Sequence, residues 1–556
     1  MQSLLHHVHA ELSLRQLSRS ERVVLGGIIV CALVLRANLQ HGRVFSADEI
    51  GTLIYLKKST AYLLTHFDVW LSMNYFILAE KGIVWLCGTT DWRLTLLPLV
   101  AAVAVVPLTA SLALKFTGFT RTALIAASLA AFNPYLVSYG TVIRSYSLLV
   151  ALSLLVINEF FHWYQKRNWW SGARCAAAVL LLLLAHLNGI YTVAFLILLF
   201  ATETASAGWS GGRKFVWESR TLWVPLAAAA ILMVTAYWRL LPDIEKVNRD
   251  WTDTAPTSLA YLPELFTSYT GSTGYPLFLI VLFLLVGIWS ATQKQRQLLL
   301  LCAAVSLGPI LMSLQGVSHY SWAYTRFLIF SVPLLLILIA EGIDWLSRHV
   351  RRRTYASAGA WGLTALITLF WTPNLYAQLL TKRNLPYVRV AKFLHTEWQK
   401  GDVIVAEYNT GSTLTQFFEQ SEDRIMLPGK YFSKVAGQLD TPLGGRVFYV
   451  TPPSVLMGRK PRVQRFGRIE VTIYNGSTAR ELLQKWREDL LRRTAGRITP
   501  FLEDDYQLLA LIERRLPSGQ SPDRWQLLAE RCRGQTLARR YFPRQLLKAV
   551  RPEMFP

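Results

Sequence analysis

Acidic residues are scarce in this chain: 35 Asp+Glu stand against 58 Lys+Arg, a formal charge of +23 over 556 residues. Cysteine is scarcer still, at five residues. Cys31, Cys87, Cys175 and Cys302 sit in or beside apolar runs and only Cys532 lies near the C-terminus, which leaves no basis for a disulfide framework or a cysteine metal cluster. No internal repeat is visible. The first apolar run is too deep in the chain and too poor in a small-residue cleavage site for a signal peptide, so it reads as a retained signal anchor. Charged residues make up only 17% of the chain, whereas 52% is hydrophobic and 12% aromatic. A soluble protein of this size rarely carries so much apolar mass, and much of it must face lipid.

The apolar residues are clustered into near-continuous runs: Val23–Leu35, Leu94–Leu114, Ala123–Val137, Ser147–Phe161, Ala176–Leu187, Val193–Ala201, Leu222–Tyr237, Leu277–Trp289, Leu298–Leu314, Phe327–Ala340 and Tyr355–Trp371. Each, with its flanks, approaches the roughly 20 residues a helix needs to cross a bilayer. The fold class expected is therefore an α-helical polytopic membrane protein of about eleven transmembrane helices. Positive charge in short loops marks the cytoplasmic side. Placing Arg15, Arg19 and Arg22 inside puts Lys115/Arg121, Lys166/Arg167/Arg174, Arg213/Lys214/Arg220, Lys294/Arg296 and Arg348/Arg351/Arg352/Arg353 on the same side. In a soluble protein such basicity would suggest nucleic acid; here it orients helices, and no nucleic-acid partner is expected.

One further stretch, Trp70–Cys87, is apolar but carries Glu80 and Lys81 at its middle, where lipid would penalise both. Counting it as a span would also reverse the basic loops. It reads as an interfacial or re-entrant helix, which leaves a first external loop over residues 40–91. The domain layout expected is a cytoplasmic N-terminus (1–22), a transmembrane domain (23–375), an external soluble α/β domain (376–477) and a basic helical extension (478–556). Val388–Trp398 has helical periodicity, Val403–Ala406 reads as a buried strand, Thr413–Gln420 as a helix, and Arg446–Val450 and Ile469–Tyr474 as later strands. Residues 376–556 hold 30 Lys+Arg against 18 Asp+Glu, a balance suited to an anionic surface or to plain solvation.

Three external segments could carry chemistry. Phe45-Ser46-Ala47-Asp48-Glu49 puts two adjacent carboxylates just after the first span, and a carboxylate can deprotonate an acceptor hydroxyl; two loop acids are also commonly just solvated. Asn133-Pro134-Tyr135, Tyr139, Arg144 and Tyr146 form the second, with Arg144 at the bilayer lip, where a guanidinium can grip a phosphate or snorkel to headgroups. His319-Tyr320, Tyr324 and Arg326 form the third, with Arg326 a second phosphate clamp and His319 more readily an interfacial histidine than a polar contact. The loop Leu241–Tyr275, with Asp243, Glu245, Asp250, Asp253 and Glu264, is either a lid over the site or only a connection.

In order and spacing these segments resemble the C-type glycosyltransferases, polytopic enzymes that move a sugar from a polyprenyl-phosphate carrier to an acceptor, in the bacterial branch similar to protein O-mannosyltransferases and the lipid A aminoarabinose transferase. The resemblance is carried by Asp48-Glu49, the stretch His66–Gly88, Asp91-Trp92-Arg93-Leu94-Thr95-Leu96-Leu97-Pro98, Asn133-Pro134 through Arg144-Ser145-Tyr146, Arg326-Phe327 before Pro333, and Val388–Val405. The chain reads His66-Phe67-Asp68-Val69-Trp70 where the family often has a Pro-Pro pair, and Arg326-Phe327 where Arg-Tyr is common.

The resemblance implies Asp48 as catalytic base with Glu49 beside it, and Arg144 and Arg326 as ligands of the carrier phosphate. It also implies substrate contacts from Tyr139, Tyr146, His319, Tyr320, Lys57, His66 and Asp68. The reaction implied is a single displacement at the anomeric carbon, from a polyprenyl-phosphate sugar donor to a hydroxyl acceptor on a lipid, polysaccharide or protein. It would occur at the external, periplasmic face of the cell inner membrane. With one Asp-Glu pair and no clear second acidic motif, no cofactor is expected and a divalent metal is not favoured. A transporter or flippase for an anionic lipid-linked sugar, and an inactive scaffold subunit of an envelope polysaccharide machine, are the competing readings.

Overall fold

The structure is a computed structural model. It describes residues 14–40, 45–66, 73–88, 91–206, 215–242, 261–294, 325–349, 353–382 and 385–399. In the C-terminal part it describes 402–406, 413–414, 425–426, 446–451, 462–466, 469–474, 487–488, 491, 509–510, 523–528 and 530. Two compact units emerge: Met1–Arg43 with Gly51–Lys382, and Val44–Ile50 with Arg383–Pro556.

The first unit is helical. Its elements are α1 (Arg19–Gln40), α2 (Ala47–Leu56, whose first turn belongs to the second unit), α3 (Thr60–Thr65), α4 (Asn74–Cys87), α5 (Asp91–Leu94), α6 (Leu96–Thr117), α7 (Thr120–Phe132) and α8 (Pro134–Tyr139). There follow α9 (Tyr146–Lys166), α10 (Trp169–Ala185), α11 (Ile190–Ser206), α12 (Arg220–Tyr237), α13 (Tyr261–Thr270), α14 (Tyr275–Lys294), α15 (Val332–Arg348) and α16 (Arg353–Lys382). Short 3-10 helices, Leu187–Gly189 and Thr325–Ser331, precede α11 and α15.

Seven described helical segments are long and apolar enough to cross a membrane, and two of the expected runs form shorter apolar helices, α7 and α10. Tyr355–Trp371 lies within α16, and Leu298–Leu314 falls outside the described residues. The protein is a multi-pass membrane protein. The segment Leu328–Arg348 is 89% enclosed by protein and Arg220–Tyr237 only 22%, which makes α15 a central helix and α12 a peripheral one. Exposed Trp169, Trp170, Trp217, Trp289 and Tyr355 mark one set of helix ends, and Trp238, Tyr275 and Tyr376 the opposite set, as interfacial aromatic belts require.

Close helix crossings are made by small residues. A Cβ built on Gly287 of α14 would sit 1.9 Å from the Leu338 carbonyl oxygen, and one on Gly342 of α15 would sit 1.9 Å from that of Phe283. The two backbones therefore touch, as small residues allow between helices in lipid. Nearby, Glu341 and Asp344 of α15 are buried and fully engaged. Arg348 meets Glu341 at 2.5 Å and Asp344 at 3.3 Å, Arg121 pairs with Asp344, and Thr122 and Ser290 donate at 2.8 and 2.7 Å to Asp344 and Glu341. Two of the arginines used to orient the chain thus also serve as counter-charges to buried acids, so the basic loops overstate the uncompensated charge on that side.

The segment Trp70–Cys87 contains α4, whose 14 residues span about 21 Å, less than the hydrocarbon core. Its two charges are handled by protein. Lys81 Nζ donates to the carbonyls of Leu56 and Lys58 at 3.2 and 2.6 Å, closing the C-terminal end of α2. Glu80 is 0% exposed, and neither carboxylate oxygen has a hydrogen-bond partner among the described residues. Burial pushes its carboxyl up to about 8. Between an unfolded value of 4.5 and that raised value the native state holds a proton the unfolded chain has released, so stability falls as pH rises through the window. Glu80→Gln is expected to raise the thermal midpoint by several degrees at pH 8 and by little at pH 5. No gain, or a loss, at pH 8 would mean a cation compensates the carboxylate in the folded protein.

The second unit contains a five-stranded sheet in the order β2-β1-β3-β5-β4. β1 (Val403–Ala406), β2 (Ile425–Met426) and β3 (Val447–Thr451) are parallel; β5 (Ile469–Tyr474) runs antiparallel to β3 and to β4 (Arg462–Phe466). Alternate residues Ile404/Ala406, Phe448/Val450 and Val471/Ile473 pack on Val390 and Leu394 of α17 (Leu385–Glu397), the period-2 face meeting the helical stripe. Asp402 ties the elements together. It accepts from the Arg446 backbone N–H at 2.6 Å, the Arg446 guanidinium at 2.9 Å and the Gln399 N–H at 2.9 Å. Burial acts to raise its carboxyl, but the Arg446 and Gln399 hydrogen bonds outweigh it and hold the group below the usual range. Of the expected helix Thr413–Gln420, only Thr413 and Leu414 are described, and both are helical. α16 runs on to Lys382, past position 376 where the sequence changes character.

Candidate functional site

In the first unit the site is built around the head of α9. Asn133 ends α7 and starts α8: its side-chain oxygen accepts from the Leu136 N–H at 3.0 Å and its amide donates to the Tyr269 carbonyl at 2.8 Å. Gly271 follows α13 with φ +62 and lies so close to Pro134 that a Cβ would meet Pro134 Cδ at 2.6 Å; a residue with a side chain fits neither requirement. Trp371 Nε1 donates to the Thr270 carbonyl at 2.7 Å and Gln378 to the Pro134 carbonyl at 3.0 Å, so α16 clasps the same turn.

From this turn runs a line of aromatic rings. Tyr269 and Tyr135 are 5.4 Å apart, Tyr135 and Tyr139 4.9 Å, and Tyr139 and Tyr146 5.1 Å, each between centroids. The line ends on His186, 6.1 Å from Tyr146. Arg144 stands in the bend before α9 and is 5% exposed. The residue between it and the helix, Ser145, does not cap α9; its hydroxyl donates to Met73 Sδ at 2.6 Å. Arg144 therefore precedes the positive end of a 21-residue helix whose N-cap residue makes no side-chain capping bond. Arg326 is half-buried on the 3-10 helix Thr325–Ser331, which packs on α9 and stacks Phe330 on Tyr191 at 6.2 Å. Both arginines thus lie in the first unit on elements that meet at α9.

Asp48 and Glu49 lie in the segment Val44–Ile50 of the second unit, in the first turn of α2. They differ in surroundings. Glu49 is 2% exposed, and its Oε2 accepts the Ser46 backbone N–H and the Ser46 hydroxyl, both at 3.0 Å. Ser46-Ala47-Asp48-Glu49 is the S-x-x-E pattern of a capping box, so Glu49 serves the start of the helix. Asp48 is half-buried beside it. Lys57 is exposed just after α2. His66 ends α3, stacked on Tyr62 at 4.5 Å with Nδ1 2.8 Å from the Thr65 hydroxyl, a local arrangement. Asp68, His319 and Tyr320, with Tyr324 and the loop acids Asp243, Glu245, Asp250 and Asp253, lie outside the described residues.

Two residues of this region were not singled out from the sequence. Arg36, 0% exposed near the end of α1, donates to the carbonyls of Ala131 and Ala130 at 2.9 and 3.3 Å and so caps the C-terminal end of α7. A lone cation in an apolar run was its only sequence signal. His186, between α10 and α11, had none, because a single histidine at a span end is ordinary.

No protein-family model matches the sequence, and no curated protein is significantly similar to it. Solved structures are. ArnT from Cupriavidus metallidurans in the apo state superposes with a TM-score of 0.52 over 82% of this chain and 99% of that one, at 13% identity. This chain shares its fold with that ArnT. The same ArnT bound to undecaprenyl phosphate gives a TM-score of 0.52 at 12% identity, over 82% of this chain and 98% of that one. Nearly the whole of the ArnT chain is thus spanned.

Proposed function

We propose that the protein is a membrane glycosyltransferase that moves a sugar from a polyprenyl-phosphate donor to an acceptor hydroxyl. The observation that carries this reading is the buried Arg144 just before the positive end of α9, two charges of one sign brought together where an anion offsets them. The fold supports the same ligand class, since a structure sharing it holds undecaprenyl phosphate. Arg144 and Arg326 bind the carrier phosphate, and the ring line from Tyr269 to Tyr146 flanks Arg144 with flat apolar faces. Asp48 takes the proton of the acceptor hydroxyl as its oxygen attacks the anomeric carbon. The bond from that carbon to the phosphate oxygen breaks, and the polyprenyl phosphate leaves with the electron pair, its growing charge met by the arginines. One displacement inverts the anomeric centre. The phosphate is a leaving group that arginines stabilise by themselves, so the reaction as proposed uses no divalent metal. The acceptor side is the external, periplasmic face of an inner membrane, a reading whose support is the basic residues gathered in the loops of the opposite side.

The test is turnover of the purified protein with a panel of polyprenyl-phosphate sugars, beside Arg144→Ala. Transfer from one donor, lowered at least about a hundredfold by Arg144→Ala, is the expected result. Carrier binding without turnover on any donor and acceptor would favour the scaffold or transporter reading.

A further inference from the structure

His186 is buried, 4% exposed, in the connection between α10 and the 3-10 helix Leu187–Gly189. Its Nδ1 accepts the Asn188 backbone N–H at 3.1 Å and caps that helix. This bond fixes the tautomer: with the Nδ1 lone pair in use, the ring proton resides on Nε2, across the ring from the cap. Burial, then the Arg144 charge close by, push the ring down to about 3, so it takes no second proton at physiological pH. Its neighbours include the Tyr146 ring, and the Arg144 charge acts on it. A second lysine or arginine here would repel Arg144. A neutral imidazole adds a hydrogen-bond donor without adding charge.

We propose that His186 is a phosphate-binding residue, its Nε2–H donating to an oxygen of the anion that Arg144 holds, a role that rests on Arg144 being the carrier-phosphate ligand. The arginine supplies the charge and the histidine supplies direction, fixing how the phosphate turns about the guanidinium. One hydrogen bond to a charged oxygen is large enough to measure.

The experiment compares binding of undecaprenyl phosphate and of the uncharged undecaprenol to the full-length protein in lipid nanodiscs, for the wild type, His186→Asn, His186→Gln and Arg144→Ala. Asn places an oxygen where Nδ1 stood and keeps the cap, but loses the Nε2–H; Gln places an N–H near the Nε2 position. His186→Asn is expected to weaken undecaprenyl phosphate about tenfold or more, leave undecaprenol unchanged, and be largely rescued by His186→Gln. The deficit should be the same at pH 6 and pH 8, because the ring does not titrate between them. Wild-type affinity in His186→Asn while Arg144→Ala binds poorly would overturn the role of His186 alone. So would an equal loss for the alcohol, which marks a packing defect, or a deficit confined to one pH. If the wild type does not prefer phosphate over alcohol and Arg144→Ala changes nothing, the carrier site itself is refuted.

Discussion

Asp48→Asn is expected to lower sugar transfer by about 10²–10⁴-fold while leaving polyprenyl-phosphate binding intact. The substitution is chosen for what it preserves. Asn has the shape of Asp and suits the first helical turn, and the lost attraction between a carboxylate and the helix N-terminus costs α2 a few tenths of a kcal/mol up to about 1. What it removes is basicity. Glu49, next in sequence, is committed to the Ser46 backbone N–H and hydroxyl, so of the two acids Asp48 is the one whose loss should register in chemistry rather than in helix stability. The readout is transfer and carrier binding measured on the same preparation. Transfer at the wild-type rate would remove Asp48 from the mechanism, and loss of carrier binding in step with turnover would assign it to substrate binding.

Gly342→Ala is expected to prevent a stable fold. Its methyl group would meet the Phe283 carbonyl oxygen at 1.9 Å, and because the obstacle is backbone on both sides, no rotamer change relieves it. The reciprocal contact of Gly287 with Leu338 means that separating the helices at one point opens the crossing at the other. α15 is the enclosed helix and also carries Glu341 and Asp344, whose partners lie on α7 and α14, so displacing it strands buried charge as well as packing. Several kcal/mol are at stake. The measurement is monodisperse yield and thermal midpoint beside Gly82→Ala, a helical glycine with nothing within 4 Å of the added carbon. Gly82→Ala should behave as wild type or slightly better. A Gly342→Ala protein with unchanged yield and midpoint would show that the two helices do not cross this closely.

Local features were legible in the sequence and long-range ones were not. Apolar run length gave most of the membrane helices, because lipid requires every backbone group to be satisfied within its own segment. β1 lies on its expected four residues and α17 on its expected stripe, since both are periodic patterns of neighbours in the chain. The capping box at Ser46 to Glu49 was equally present in the sequence. There the adjacent acids were read together as chemistry, and only hydrogen-bond geometry separates the helix-starting residue from its neighbour.

By itself, then, the sequence determined a multi-pass helical chain and a C-terminal α/β unit, both consequences of composition and period. The tertiary structure alone decided that Arg36 caps α7 across more than ninety residues, that Arg121 answers an acid more than two hundred residues away, and that the buried His186 lies beside the Tyr146 ring. These depend on which helix ends meet. A buried charge or a fixed tautomer is set by partners brought near in space, and their spacing along the chain carries no trace of that meeting.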